Sequence, residues 1–288
     1  MLNADSINTN NTHTGIQPHW VNTQDGSLTL FDPNTGEHYH NLIGAYTEAY
    51  HQYVLPSGCF PQLESERLQQ RLWNLPRPTI EPALPLVIVD VCFGLGYNTF
   101  AFLQTWLTQR TQNPDPLPRT IHVLAFETDV SLFRLLPQIL GQPCFDALSD
   151  LKTRFEHNDY YQTLQDTGVI RLESPLGTGF AGLSDVLPTL VFELRAQDFR
   201  ECLVDCSDWD AQLLFYDPFS PKKAPELWEP QHFVQAAKVL HRHQGRLLTY
   251  SLARVVKDGL TAAGLQWCKT PKLGFKSGGL VAGGLKPL

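Results

Sequence analysis

LVIVDVCFGLG, residues Leu86–Gly96, decides the fold of this 288-residue chain. An apolar run carries Asp90 near its end, and Gly94 and Gly96 follow at G-x-G spacing. Continuous hydrophobicity suits a strand buried on both faces of a parallel sheet. The glycines can adopt backbone angles closed to other residues and let a ligand lie against the main chain. Downstream, Asn98–Arg110 carries Phe102, Leu103, Trp106 and Leu107 at helical spacing. A strand, a glycine turn and a helix in that order bind nucleotides at the C-terminal edge of open α/β sheets.

The turn also bears on the kind of nucleotide. A dinucleotide fingerprint, G-x-G-x-x-G, needs a third small residue where this chain has Thr99. Asp90 lies four residues before the first glycine, and its carboxylate would repel a pyrophosphate and attract a cation. S-adenosyl-L-methionine, with an ammonium, a sulfonium and no phosphate, meets that requirement. An NAD-dependent dehydrogenase does not.

Outward from this turn the pattern alternates strand and helix. Ile121–Glu127, Leu190–Leu194, Gln212–Asp217 and Arg246–Ser251 read as further strands, with helices over Val130–Leu140, Pro225–His241 (capped at Gly245) and Arg254–Ala263. Gln266–Lys269 and Gly279–Ala282 read as a closing hairpin. The expected fold is a Rossmann-like, mostly parallel, doubly wound α/β sheet with a terminal antiparallel hairpin and a small N-terminal β-rich extension. Three segments follow from this: a disordered polar tail over 1–19, an extension over 20–85 acting as a lid on the substrate side, and a nucleoside-binding domain over 86–288. In the extension, strands flank a turn at Gln24–Ser27, and helical stretches cover 45–53 and Arg67–Leu75. Residues 141–189 show no placeable pattern.

Composition bounds the class. Apolar content of 42% and aromatic content of 11% are those of a chain with a sizeable core. No apolar run reaches the length of a membrane span, and the N-terminus has no signal-peptide pattern, so the expectation is a cytoplasmic protein that does not engage membranes. Six cysteines form no C-x-x-C pair, and Cys202 and Cys206 would share a helix face as reduced thiols. His38-x-His40 and His241-x-His243 are surface pairs, and no metal is expected. Net charge is −7, but Gln231–Leu288 holds nine Lys or Arg against one acid, Asp258; this segment carries +8 and the rest −15. That basic third reads either as a polyanion footprint or as a solvated helical face.

Ligands in such a sheet lie across the strand C-termini. Glu127 ends the second strand, where a carboxylate can accept both hydroxyls of a ribose. Asp198, after the third, can accept from an adenine amino group or cap the helix that follows; both readings stand. Asp217 ends the fourth and opens Asp-Pro-Phe-Ser-Pro, a loop stiffened by two prolines. It is the candidate base or acceptor for a nucleophilic amine, since free alkylamines are mostly protonated at neutral pH.

Several blocks resemble the methyltransferase domain of the bacterial tRNA-modifying MnmC family, whose members methylate an aminomethyl group on the wobble uridine of certain tRNAs. They are VDVCFGLGYNTF, LAFETD, RAQDF, FYDPFSPKKAPELW and ARVVKDGLTAAGL, and YHNLIGAYTEAYHQYV is similar to an upstream family segment. The most distinctive is F-x-P-x-K-x-P-x-x-W at Phe219, Pro221, Lys223, Pro225 and Trp228. The resemblance implies a class I fold with S-adenosyl-L-methionine held by Asp90, Phe93, Gly94, Gly96, Asn98, Glu127, Thr128, Asp198 and Asp217. It puts Tyr46, Glu48, Pro218, Phe219 and Lys223 on the acceptor side, with Asp217 at the amine. It further implies tRNA as partner through the basic C-terminal third, and a separate enzyme supplying the aminomethyl-uridine; only the transferase part is expected here. Two departures stand out. Asp217-Pro218-Phe219 replaces the family's Asp-Gly-Phe, and the basic family end is thinned to Gly274-Phe275-Lys276-Ser277. A small-molecule amine or a protein side chain is the alternative acceptor, and a non-catalytic nucleoside-binding protein the more distant one.

Overall fold

The computed structural model describes residues 19–112, 117–176, 188–203, 209–240, 244–272 and 277–285. Most of the expected N-terminal tail, Cys206, the His241–His243 pair and Gly274–Lys276 lie outside these residues.

β1 (Trp20–Asn22), β2 (Leu28–Asp32) and β3 (Glu37–His38) form a three-stranded antiparallel sheet. α1 (Ala45–Ala49) then runs into a π-helical turn, Tyr50–Val54, and α2 (Glu66–Leu72) follows, capped by Ser65, whose hydroxyl accepts from the Leu68 amide.

The large sheet is built from β4 (Leu86–Val91), β5 (Thr120–Phe126), β6 (Val169–Pro175), β7 (Thr189–Arg195), β8 (Leu213–Tyr216), β9 (Arg246–Thr249), β10 (Leu265–Lys269) and β11 (Leu280–Leu285). Their order is β10-β11-β9-β8-β4-β5-β7-β6. β4 pairs in parallel with both β5 and β8, so the chain winds outward from it in both directions. The crevice of such a sheet opens at that reversal, above the carboxyl ends of β4 and β8. β11 lies between β9 and β10, antiparallel to both; the terminal hairpin is present but folded back into the sheet.

α3 (Tyr97–Gln112) follows the glycine turn and is buried along almost its whole length. One side rests on the sheet; on the other, α1, the π turn and a 3₁₀ stretch at Pro143–Leu148 cover it. Leu30, Ala49, Tyr53 and Phe60 therefore share one core with Ile88, Leu103 and Phe215, so the extension is packed into the sheet's own core. Arg246 ties the two together. Its buried guanidinium donates to the carbonyls of Pro56, Leu75 and Pro76, and burial lowers it to about 10.

Four expectations change. The helix over Val130–Leu140 is a 3₁₀ stretch, Val130–Leu135, continued by α4 (Leu136–Leu140). Residues 141–189 contain α5 (Ser149–Glu156), α6 (Asn158–Thr167) and the edge strand β6, which pairs antiparallel with β7. After α7 (Phe199–Cys202) and β8, the helix expected over Pro225–His241 is split into a 3₁₀ turn, Pro225–Trp228, and α8 (Pro230–Val239). Pro230 forces Glu229 out of helical angles, to ψ 143. α8 is capped at Leu240, not Gly245, and α9 (Arg254–Ala262) completes the helices. Among the described residues no helix is long and apolar enough to cross a membrane.

Candidate active site

A cavity of about 510 Å³ opens over the carboxyl ends of β4, β5, β8 and β9. Its floor is Cys92 and Gly94 after β4, Glu127 and Thr128 after β5, Asp217–Ser220 after β8 and Tyr250 after β9; Gly36–Leu42 and Glu48 from the extension form the roof. Among the described residues the lining holds four carboxylates, from Glu37, Glu48, Glu127 and Asp217, and neither Lys nor Arg.

Gly94 has φ +56, and a Cβ there would come within 3.3 Å of the Tyr39 ring, so a bare backbone suits both the turn and the approach of the roof. Its amide donates to Glu127 Oε2 at 2.8 Å, while Oε1 accepts from the Thr128 and Asp129 amides at 2.8 and 2.9 Å. Burial pushes the Glu127 carboxyl up, and those three backbone donors oppose the rise.

The Pro-rich loop is held from every side. The Asp217 amide donates to Val91 O, Tyr250 OH to Pro218 O at 3.0 Å, and Trp228 Nε1 to Phe219 O at 2.7 Å. Tyr216 OH donates to Leu227 O. Glu37, in β3, accepts from the Ser220 amide and hydroxyl at 3.1 and 2.6 Å, fastening the roof to the loop. Asp217 itself accepts from Tyr53 OH at Oδ1, 2.6 Å, and from Asn98 Nδ2 at Oδ2, 2.7 Å. Glu48 Oε2 accepts from the Asn41 amide at 2.8 Å and lies 3.9 Å from His40 Nδ1.

Seven of the residues singled out in the sequence thus line one cavity: Glu48, Gly94, Glu127, Thr128, Asp217, Pro218 and Phe219. Asn98 reaches it through Asp217. Six others are not on its wall. Asp90 is fully buried beneath the floor and off the cavity wall; one oxygen accepts from Thr99 Oγ1 at 2.6 Å, the other has no hydrogen-bond partner, and burial pushes the carboxyl well up. Phe93 packs on Phe100, Phe133 and Phe192. Gly96, at φ +78, serves packing: a Cβ there would lie 2.5 Å from Phe93 Cζ and 2.6 Å from Phe100 Cε2. Asp198 caps α7 through the Arg200 amide and forms a bidentate pair with the Arg200 guanidinium, whose hydrogen bonds hold its carboxyl below the usual range. Tyr46 stacks on Tyr50 and meets Phe145 edge-on. Lys223 is exposed at the rim, its Nζ 3.7 Å from a Cβ built on Gly36.

Tyr39, Cys92, Tyr250 and Tyr53 were not legible as site residues, and His38 and His40, expected as a surface pair, line the cavity, His40 buried. Cys92 stands out only in the structure, as a non-glycine at φ 60 directly after the strand. Among the described residues no group of three or more His, Cys, Asp or Glu is arranged to hold a metal ion.

Comparison with known proteins agrees with this fold. Residues 185–284 match the family model of an S-adenosyl-L-methionine-dependent methyltransferase. The chain is 29% identical over 256 residues to the tRNA 5-methylaminomethyl-2-thiouridine biosynthesis bifunctional protein MnmC of Paracidovorax citrulli, covering 88% of this chain and 34% of that one. It is 26% identical over 194 residues to the MnmC of Saccharophagus degradans, covering 66% and 26%. The chain therefore spans about a quarter to a third of the length of these relatives. MnmC2 from Aquifex aeolicus shares the fold, with a TM-score of 0.59 and 22% identity over 94% of this chain and 73% of that structure. Fold, cavity and family model define the class: the chain is an S-adenosyl-L-methionine-dependent methyltransferase with a class I, Rossmann-like α/β fold. Within that class it resembles the methyltransferase part of MnmC.

Proposed function

We propose that the domain transfers the methyl group of S-adenosyl-L-methionine to the exocyclic amine of a 5-aminomethyl-type wobble uridine in tRNA. The observation that carries this reading is the lining itself, four carboxylates with no Lys or Arg among the described residues. Such a cavity attracts a sulfonium and an aminoalkyl group and repels phosphate. It fits a base extruded from the anticodon whose phosphates stay outside, where Lys223 stands at the rim. The names of the relatives support tRNA as the carrier of that amine, and a separate enzyme would install it.

The donor, when bound, supplies a methyl carbon made electrophilic by positive sulfur. Glu127, anchored on three backbone amides, presents the remaining lone pair of Oε2 to a ribose hydroxyl, with Gly94 giving close approach of the main chain. Asp217 accepts an N–H of the acceptor amine and so turns the nitrogen lone pair toward the methyl carbon. An alkylamine has a pKa of roughly 10, so its extra proton must leave first; Asp217, or a water it orients, takes it. Phe219, edge-on against Tyr39 at 5.1 Å, offers an apolar face to the base.

A small-molecule amine is the second reading. It is favoured by the same acidic lining and by Arg246, one of the nine basic residues of Gln231–Leu288, being buried and unavailable to a polyanion. Labelled methyl transfer from S-adenosyl-L-methionine to tRNA bearing 5-aminomethyl-uridine, compared with tRNA lacking it and with free alkylamines, separates the two. Label confined to the first tRNA is expected; label on free amines alone overturns the tRNA assignment.

A further inference from the structure

The acceptor side of the cavity is tied to a local break in helix geometry. α1 passes without interruption into the π turn Tyr50–Val54, where the Leu55 amide reaches back five residues to the Tyr50 carbonyl. In an α-helix the residue stacked over Glu48 would be Gln52, at i+4; the wider turn brings Tyr53, at i+5, toward that face. The diversion is unfavourable for Gln52, which is 2% exposed with neither amide atom partnered. What it achieves is the contact at Tyr53. That side chain is 1% exposed, packs edge-on against Phe215 two residues before Asp217, and donates its hydroxyl to Asp217 Oδ1 at 2.6 Å.

Asn98, from the first turn of α3, donates to the other oxygen at 2.7 Å. Two donors from two elements, one on each oxygen, stop the carboxylate turning about its Cβ–Cγ bond. Burial and the neighbouring Asp217 charge push the Tyr53 phenol far up, so it remains a donor at every working pH.

We propose that Tyr53 is a positioning residue for the methyl acceptor: delivered by the π turn, its hydroxyl sets the plane of the Asp217 carboxylate and thereby the direction in which the acceptor amine points its lone pair. This rests on the reading of Asp217 as the group that holds the amine. Besides Tyr53, the titratable groups around Asp217 include Asp90 in β4, Cys92 directly after it, Tyr250 after β9 and, across the cavity, Glu48. None of them is altered by the test.

Tyr53→Phe keeps the ring and its packing and removes only the hydroxyl. We expect kcat to fall about 10–100-fold while calorimetric affinity for S-adenosyl-L-methionine stays at the wild-type value. Loss of a donor disfavours the carboxylate, so the acid limb of the pH–rate profile moves to higher pH. The same shift is read without any acceptor by carbon-13 NMR titration of the Asp217 carboxyl, its resonance identified with Asp217→Asn. If wild-type protein methylates no aminomethyl-uridine, the proposed acceptor fails, and the NMR midpoint still decides the role of Tyr53. Wild-type kcat in Tyr53→Phe, or superposable Asp217 titrations in the two proteins, overturns the proposal.

Discussion

Replacing Glu127 by glutamine changes one oxygen into an amide nitrogen, and the structure fixes what that does. The carboxylate accepts three backbone N–H groups, Gly94 on one oxygen, Thr128 and Asp129 on the other. Whichever way the glutamine amide turns, its NH₂ faces at least one of these donors, 2.8–2.9 Å away in the wild type. The less costly orientation keeps the Thr128 and Asp129 bonds and sets NH₂ against the Gly94 amide. One unsatisfied N–H costs about 1–3 kcal/mol of folding stability. The ribose loses a charge-assisted acceptor worth about 1.5–3 kcal/mol, which is a roughly 10–150-fold weaker donor affinity. Isothermal titration with S-adenosyl-L-methionine reads the second effect, and urea unfolding the first. Donor affinity equal to wild type in Glu127→Gln would refute the placement of the ribose at Glu127.

Asp217→Asn keeps an acceptor for Tyr53 but sets an amide against Asn98 Nδ2; turnover should fall about 10²–10⁴-fold with donor affinity nearly intact, by single-turnover kinetics and calorimetry. Gly96→Ala forces a Cβ into Phe93 and Phe100 at φ +78, so the urea midpoint should drop by an amount equivalent to about 2–5 kcal/mol, the sum of left-handed strain and overpacking. Arg246→Leu strands three carbonyls of the extension, each worth about 1–3 kcal/mol, and limited proteolysis should cut between residues 56 and 76 before the sheet opens. Burial alone would raise Asp25, but hydrogen bonds from Ser27, Thr47 and Thr23 hold it at about 2. Its folded pKa is depressed, so its contribution is present above the unfolded value of 3.8 and lost as pH falls toward 2. The difference in urea midpoint between wild type and Asp25→Asn should therefore be full at pH 7 and shrink across that window.

What was legible in the sequence is what short-range pattern can carry. β4 showed as a continuous apolar run because both its neighbours are parallel strands and both its faces are covered. Asp217 and the stiff loop after it showed because proline constrains its own neighbourhood. The direction of Asp90 was not readable from the sequence: a strand-end acid can point down into the core as readily as up to a ligand, and here Thr99 donates to it. α3 looked amphipathic, yet α1 and the π turn, far upstream, bury its other side. β6 was missed although Ile170, Leu172 and Ser174 alternate inward with exposed Arg171 and Glu173, a period-2 signal in a segment that otherwise looked irregular. Tyr53 was out of reach, because its partner is 164 residues away and its aim depends on a π turn that helical spacing does not foretell.

The central claim is methyl transfer to an amine on the tRNA wobble base. It is tested most directly by mass spectrometry of wobble nucleosides from cells with and without this protein. The account predicts that the methylated 5-aminomethyl-type nucleoside is present only with the protein, and that its unmethylated precursor accumulates without it. Identical nucleoside profiles from the two would contradict it.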